Sequence, residues 1–383
     1  AWEKRKVSDY LCESRIPGSN GLKAKKLTVK LWGKGVVPKN ETYSGSIKTK
    51  YYVRSANQLI YGKLDFLHAA FGIVPQSLDG WESTIDSPAF DVNTSIGNAA
   101  FLLALFLKPN FYLREGIRAN GSRKAKRIHE DTFLSMSISA PQRKEQNQIA
   151  MVLDKTEFLI AATQHKIDAL EQVKKALLQR LFDQSWRFDG YLETWKKYRL
   201  GDHAEILTGG TPKTSVAEYW EPKSIPWMSS GEVNKVYLDQ TDTMISLEGF
   251  KNSSARWIKK HSILIALAGQ GKTRGTVAVN NIALTTNQSI AAIIPGKDLY
   301  YEFVFQNLTN RYNELRLISS GDGTRGGLNK QIVSDVTIHS PNLNEQIRIG
   351  KLLSKVDHLS TENQLKLSRI ELIKKYLLQT LFI

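Results

Sequence analysis

Apolar residues along this chain follow two periods, and the longer one occurs twice. Over residues 137–182, and again over 337–382, they recur at alternating steps of four and three. The first series is Ile149, Leu153, Ile160, Ile167, Leu170, Leu177 and Leu181, and the second is Ile349, Leu353, Val356, Leu367, Ile370, Leu377 and Leu381. Lys, Glu, Gln and Asn fill the other faces, so each stretch predicts a long helix with a narrow heptad seam. Nearly 40 residues of helix would extend about 60 Å, longer than a typical globular domain buries. The stretches align without a gap at an offset of 200 residues, with 18 of 46 positions identical, which marks a duplication. Shared positions include Pro141/Pro341, Glu145/Glu345, Gln146/Gln346 and the ending Leu-Leu-Gln-x-Leu-Phe. A proline opens each copy, and Asn342-x-x-Glu345 is a capping-box pattern for a helix start. Thr163 and Asn363 occupy one equivalent seam position, where a polar residue fixes register.

The segments ahead of the helices show the shorter period, in apolar runs broken by Gly, Pro, Asn and Ser. Residues 262–267, 275–279 and 289–294 predict buried strands, while 299–318 and 97–107 predict helices. Trp2 to Asp9 aligns with Trp195 to Asp202, so each globular segment starts with an aromatic, a basic cluster and an acid. The expected fold class is α+β with mostly antiparallel pairing. Its parts are a globular domain over 1–140, a long helix and connector over 141–194, a second domain over 195–340 and a second helix over 341–383.

Charge adds a partner to this outline. The formal net charge is +16, and residues 1–140 contribute +9 of it, against 0 for 141–194, +4 for 195–340 and +3 for 341–383. The excess lies mainly in the globular parts and neither helix pairs a basic face with a bulky apolar one, which favours nucleic acid over a membrane. No run of about 18 uncharged apolar residues exists, and the N-terminus lacks a signal-peptide core. Cys12 is the sole cysteine, so an internal disulfide and a cysteine zinc cluster are both excluded, and a reducing cytoplasm is the expected setting.

Catalytic motifs are sparse. Ala266 to Thr273 fits a loose phosphate-loop pattern after a strand, with Lys272 and Thr273 in the ligand positions. A phosphate loop needs a following helix whose N-terminus faces the phosphates. Here Gly275, alternating valines and Asn280-Asn281 predict a strand, hence a hairpin tip. The seven histidines show no metal-ligand spacing, and no hydrolase or methyltransferase motif is present. Loops suited to DNA stand out instead. One spans 116–127, with Arg118, Arg123, Lys124, Lys126 and Arg127 around Asn120 and Ser122; another spans 319–330 with Thr324, Arg325, Asn329 and Lys330. Lysine and arginine hold phosphates, while Arg, Asn and Gln can pair with base edges.

These features together resemble the specificity subunit of a type I DNA restriction-modification enzyme, across essentially the whole chain. In the second half the resemblance rests on Leu207-Thr-Gly-Gly-Thr-Pro212, Ile225-Pro-Trp-Met-Ser-Ser-Gly231, 269–275, Thr286-Asn-Gln288, Gly326-Gly-Leu-Asn-Lys330 and Ser340-Pro341 with Glu345-Gln346. The first half carries Leu31-Trp-Gly-Lys-Gly35, Gly72-Ile-Val-Pro75 with Leu78-Asp-Gly80, and 139–146, and lacks counterparts of Gly209 to Pro212 and of Asn287-Gln288. The resemblance implies two target recognition domains separated by two long helices that form an antiparallel coiled coil with pseudo-two-fold symmetry. Each domain would read half of a split site in double-stranded DNA. Two methyltransferase subunits would dock on the helices, and ATP-dependent translocase-nuclease subunits would join them. S-adenosylmethionine, ATP and Mg would belong to those partners, leaving this chain non-catalytic, without a cofactor or metal. The candidate DNA contacts are the loop residues above with Lys34, Lys39, Lys63, His68, Thr211, Lys213, Ser229, Ser230, Gln270, Lys272, Thr273, Arg274, Asn287 and Gln288. Competing readings are an ATPase using Lys272 and Thr273, a specificity subunit of a related type II system, and a scaffold held by its coiled coil. The bases read and the spacer length do not follow from the sequence.

Overall fold

The computed structural model describes residues 2–40, 46–118, 127–269, 273–318 and 327–382. The chain forms two compact units, 1–162 with 366–383, and 163–365. Each therefore combines a globular segment with parts of both long helices, a division that falls inside the helices rather than at their ends.

In the first unit, β1 (Glu3–Lys6) pairs antiparallel with the strand just before the first long helix, numbered β6 below. A four-stranded antiparallel sheet follows, built from β2 (Leu11–Ser14), β3 (Leu59–Tyr61), β4 (Phe71–Ile73) and β5 (Ala89–Val92) in the order β2-β5-β3-β4. Helices α1 (Ala99–Phe106), α2 (Pro109–Gly116) and α3 (Glu130–Ser135) cover one face and lead into β6 (Ser137–Ala140). The core there is aromatic: Tyr61, Phe66, Phe71, Phe90, Phe106, Phe111 and Phe133 pack as one cluster. Ile60 and Ala89, on the opposite face by strand alternation, pack with Leu27, Val36, Val74 and Leu78.

The second unit repeats this plan. Strand β7 (Lys196–Arg199) pairs with the strand before the second long helix, and β8 (Ala204–Thr208) opens the main sheet. Strand β9 (Ile225–Met228) belongs to a smaller sheet, and β10 (Ile263–Ala266), β11 (Val277–Asn280), β12 (Thr285–Thr286) and β13 (Ile290–Pro295) follow. The main sheet runs β8-β13-β10-β11 and then Tyr237–Leu238, which pairs parallel with β11. Helices α4 (Tyr301–Asn310), α5 (Tyr312–Leu317) and α6 (Lys330–Asp335) precede β14 (Thr337–Ser340). The predicted helix over 299–318 is thus broken after Asn310. Ile263 and Ile265 face α4, and Leu264 and Ala266 face a second cluster with Met228, Val233 and Ile258. Burial on both faces explains why these strands read as unbroken apolar runs.

The long helices span Arg143–Phe182 and Leu343–Thr380. Within each unit their segments run antiparallel: Lys374 bridges Glu157 in the first, and Lys174 bridges Asp357 in the second. The seam residues Ile149, Leu153, Ile167, Leu181, Ile349, Leu353, Val356 and Ile370 are buried, as are Thr163 and Asn363. Asn363 donates one of its side-chain N–H groups to the Leu359 carbonyl of its own helix at 2.6 Å. No helix among the described residues is long and apolar enough to cross a membrane, and none of their His, Cys, Asp or Glu side chains cluster as metal ligands.

Candidate nucleic-acid interface

The helix starts carry the tightest local structure. Gln346, buried, donates to the carbonyls of Asp298 and Pro341 at 3.0 Å each and accepts from the Tyr300 amide at 2.9 Å. Gln146 repeats the pattern, donating to Ile96 and Pro141 at 2.9 and 2.8 Å and accepting from Asn98 at 3.0 Å. One glutamine thus ties each long helix to the loop entering the globular helices. The preceding glutamates also find partners: Glu345 takes a two-pronged bond from Arg187 at 3.0 and 2.7 Å, and Glu145 accepts from the Trp2 indole at 3.2 Å. In the sequence these residues stand out as repeat identities, and Glu345 also as the acid of a capping box; the structure keeps half of that box, Asn342 accepting from the Glu345 amide at 3.1 Å, and turns the Glu345 carboxylate to Arg187.

At one end of the second unit's main sheet, the end of β8, the start of β13, the end of β10 and the start of β11 lie side by side. Gly209 and Gly210 cross close to this edge. A Cβ on Gly209 would sit 2.0 Å from the Thr286 carbonyl oxygen, and one on Gly210 would collide with Ser254 and Ala255. The Gly210 amide donates to Thr286 at 2.8 Å, and its carbonyl accepts from the Trp227 indole at 2.9 Å. That anchoring delivers the Thr211 hydroxyl to the Gln288 side-chain oxygen at 2.6 Å. The Asn287 amide bonds to Met228, bringing in Ser229 and Ser230, which begin a short 3-10 helix capped by Glu232. The Leu328 amide donates to Leu267 at 2.9 Å, setting Asn329 and Lys330 beside the same end.

The structure therefore gathers Thr211, Ser229, Ser230, Asn287, Gln288, Asn329 and Lys330 around one sheet end, with Lys213 exposed just beyond Pro212. Two of the predicted contacts have internal duties. Asn329 caps α6, accepting from the Ile332 amide at 2.8 Å, and half-buried Arg274 donates to the Arg316 carbonyl at 3.4 Å. Strands β10 and β11 are an antiparallel hairpin whose tip includes Thr273. With a strand rather than a helix after it, the tip lacks the helix N-terminus that a phosphate loop supplies. Gln270, Lys272, Thr324 and Arg325 lie outside the described residues.

In the first unit the corresponding hairpin joins β3 to β4, and the Ile128 amide donates to Lys63 as Leu328 does to Leu267. Lys63 corrects a sequence expectation: it is buried, and its ammonium lies 2.6 Å from the buried Glu130 carboxylate. An ammonium held there is a structural ion pair and is not offered to DNA. Burial pushes the Glu130 carboxyl up, but the Lys63 hydrogen bond, with the backbone and Arg15, leaves it below the ordinary glutamate range. Lys34 and His68 are exposed on two turns joined by their backbones, the Trp32 amide donating to the His68 carbonyl at 2.8 Å. Leu67, next to His68, abuts Gly116 at the end of α2, close to exposed Arg118, which pairs with Glu115 at 3.1 Å. Lys39 lies at the opposite end of its hairpin from that turn. Asn120, Ser122, Arg123, Lys124 and Lys126 lie outside the described residues.

Known proteins share this construction. The family model for the type I restriction modification DNA specificity domain matches residues 192–372. The specificity subunit of the type I restriction enzyme EcoR124I/EcoR124II of Escherichia coli is 28% identical over 250 residues, 63% of this chain and 60% of that protein. The MjaIX specificity subunit of Methanocaldococcus jannaschii is 31% identical over 185 residues, 46% of this chain and 40% of that one. The matches thus span less than two thirds of these relatives' length. Among solved structures, the S subunit of a type I restriction-modification system from M. genitalium superposes with a TM-score of 0.66 at 14% identity, covering 100% of this chain and 96% of that one.

Proposed function

Because this chain belongs to the specificity subunits of type I restriction-modification systems, we propose that it reads DNA for such a complex, each unit gripping one half of a split duplex site. The observation that carries this reading is the sheet end of the second unit, where anchored turns present Thr211, Asn287 and Gln288 together. Hydroxyl and amide groups of this kind pair with base edges, and the surrounding lysines suit phosphates. The first unit shares the order of four of these strands and has exposed basic turns in place of this polar cluster. Two unlike readers on one duplicated frame suit a site with two different halves.

The long helices act as a ruler that sets how many unread base pairs separate the halves, and as the docking rod for two methyltransferase subunits. Those subunits use S-adenosylmethionine and flip the target adenine, and ATP-driven translocase-nuclease subunits supply cleavage. This chain contributes recognition and no bond-making step. The test is to map methylated adenines in DNA exposed to the chain together with the methyltransferase encoded beside it. A split motif is expected, and removing one heptad from each helix should change the spacer while keeping both halves. Methylation without a motif, or an unaltered spacer, overturns the reading. Phosphate contacts also require that affinity fall steeply with salt.

A further inference from the structure

We propose that Trp32 is a DNA-stacking wedge, a contact of the first unit that none of the basic or polar candidates supplies; this rests on the half-site reading above. Trp32 is 57% exposed, the most exposed tryptophan among the described residues, and Leu31 beside it is exposed as well. An indole this large is ordinarily drawn into a core, and the globular segment of the same unit, residues 2–140, buries its phenylalanines almost completely. The backbone holds it outward at a cost. Trp32 has φ +60°, in the left-handed region that bulky side chains rarely adopt. Two hydrogen bonds fix that conformation, from the Trp32 amide to His68 at 2.8 Å and from the Gly33 amide to Ala69 at 2.9 Å. The His68 ring braces the indole edge to face, with centroids 5.6 Å apart at 74°.

The surroundings identify the occupant. Lys30 and Lys34 lie two residues to either side of Trp32 on the same turn, both exposed and neither in an ion pair among the described residues. The nearby carboxylate is Asp65, whose oxygen lies 3.4 Å from His68 Nδ1. The globular part of this unit carries +9 of the chain's +16. An exposed apolar ring on a turn that also carries two exposed lysines, in a basic segment, matches a polyanion with flat faces. The lysines meet phosphates, and the indole stacks on a base or enters a base step, as apolar wedges do where proteins kink a duplex.

The experiment uses the full chain with its methyltransferase and a duplex selected by the wild type from a randomised pool, measuring affinity across a salt series, melting temperature and methyltransferase binding. Trp32→Gly suits the left-handed backbone, so its melting temperature should be no lower than wild type. Its affinity for the duplex should fall about 10-fold or more, with an unchanged salt slope, because stacking releases no counterions. Trp32→Phe should retain most of the affinity, and Lys34→Ala should lower the salt slope by about 1. Wild-type binding with an unaffected Trp32→Gly variant overturns the wedge and leaves the half-site reading standing. A loss of melting temperature alongside affinity would assign Trp32 to folding, and a loss confined to methyltransferase binding would make it a protein contact; either result overturns the proposal. A wild type with no salt-dependent affinity for any duplex sinks both.

Discussion

The two units share a frame and differ in how it is filled. Four strands follow the same order in both sheets, the second adding Tyr237–Leu238 at its edge, and in both units a buried glutamine fastens the long helix through one accepted and two donated hydrogen bonds. The first core is a cluster of phenylalanines, whereas the second is built mainly from isoleucine, leucine and valine. Likewise, the first unit roots its central hairpin with a buried Lys63–Glu130 pair where the second places Leu267. Fastening demands fixed donor and acceptor positions, so those residues match across the duplication. A core demands only filled volume, and a sheet end facing a ligand demands nothing of its counterpart, so both are free to diverge.

The hairpin root offers the most severe way to break the comparison. Lys63→Ala leaves the Glu130 carboxylate buried, with exposed Arg15, 3.8 Å away, as its remaining ion-pair partner among the described residues. We expect about 3 kcal/mol of stability to be lost at pH 7, against about 2 to 3 kcal/mol for the cavity left by Leu267→Ala. Only the first loss should respond to acid. Glu130 has a depressed pKa in the fold, so its contribution is present above its unfolded pKa of about 4.3 and vanishes as pH falls through the lower folded value. Urea unfolding of the full chain should show the gap between wild type and Lys63→Ala narrowing through that window, while the Leu267→Ala gap stays constant. A pH-independent Lys63→Ala gap would mean that the pair is not what roots the hairpin.

The glutamine clamps sharpen the shared side. Gln146→Leu and Gln346→Leu each strand a buried amide and two carbonyls, so each should cost about 2 to 3 kcal/mol. Equal losses by thermal unfolding would establish the fastening as a duplicated device. A difference above about 1 kcal/mol would show that Arg187, whose guanidinium braces only the second clamp through Glu345, carries a large part of it.

How much of this the residues disclosed varies by region, for physical reasons. The helices were legible because a heptad seam is a long-range pattern, and duplication displayed it twice. Strands β10, β11 and β13 were legible because burial on both faces leaves them apolar throughout. Thr211, Asn287 and Gln288 could be picked out together because glycine pairs and Asn-Gln steps mark anchored turns. Lys63 was misread because a lysine's charge is visible in sequence while its partner, Glu130, lies 67 positions away. Trp32 stands in the sequence only as part of the Leu31 to Gly35 motif, because neither its exposure nor its left-handed backbone leaves a mark on residue type.

The mildest prediction concerns Thr211 and is the most selective. Its hydroxyl donates to Gln288 in a partly exposed setting, so Thr211→Val should cost under about 1 kcal/mol of stability. Without the hydroxyl, the Gln288 side chain loses the contact that orients it, and with it a fixed presentation to a base edge. The methylation map should then relax at one position of the half-site read by the second unit and leave the other half unchanged, since the two units share no loop. A change in both halves, or in the spacer, would mean that the sheet end does not act as a separate reader.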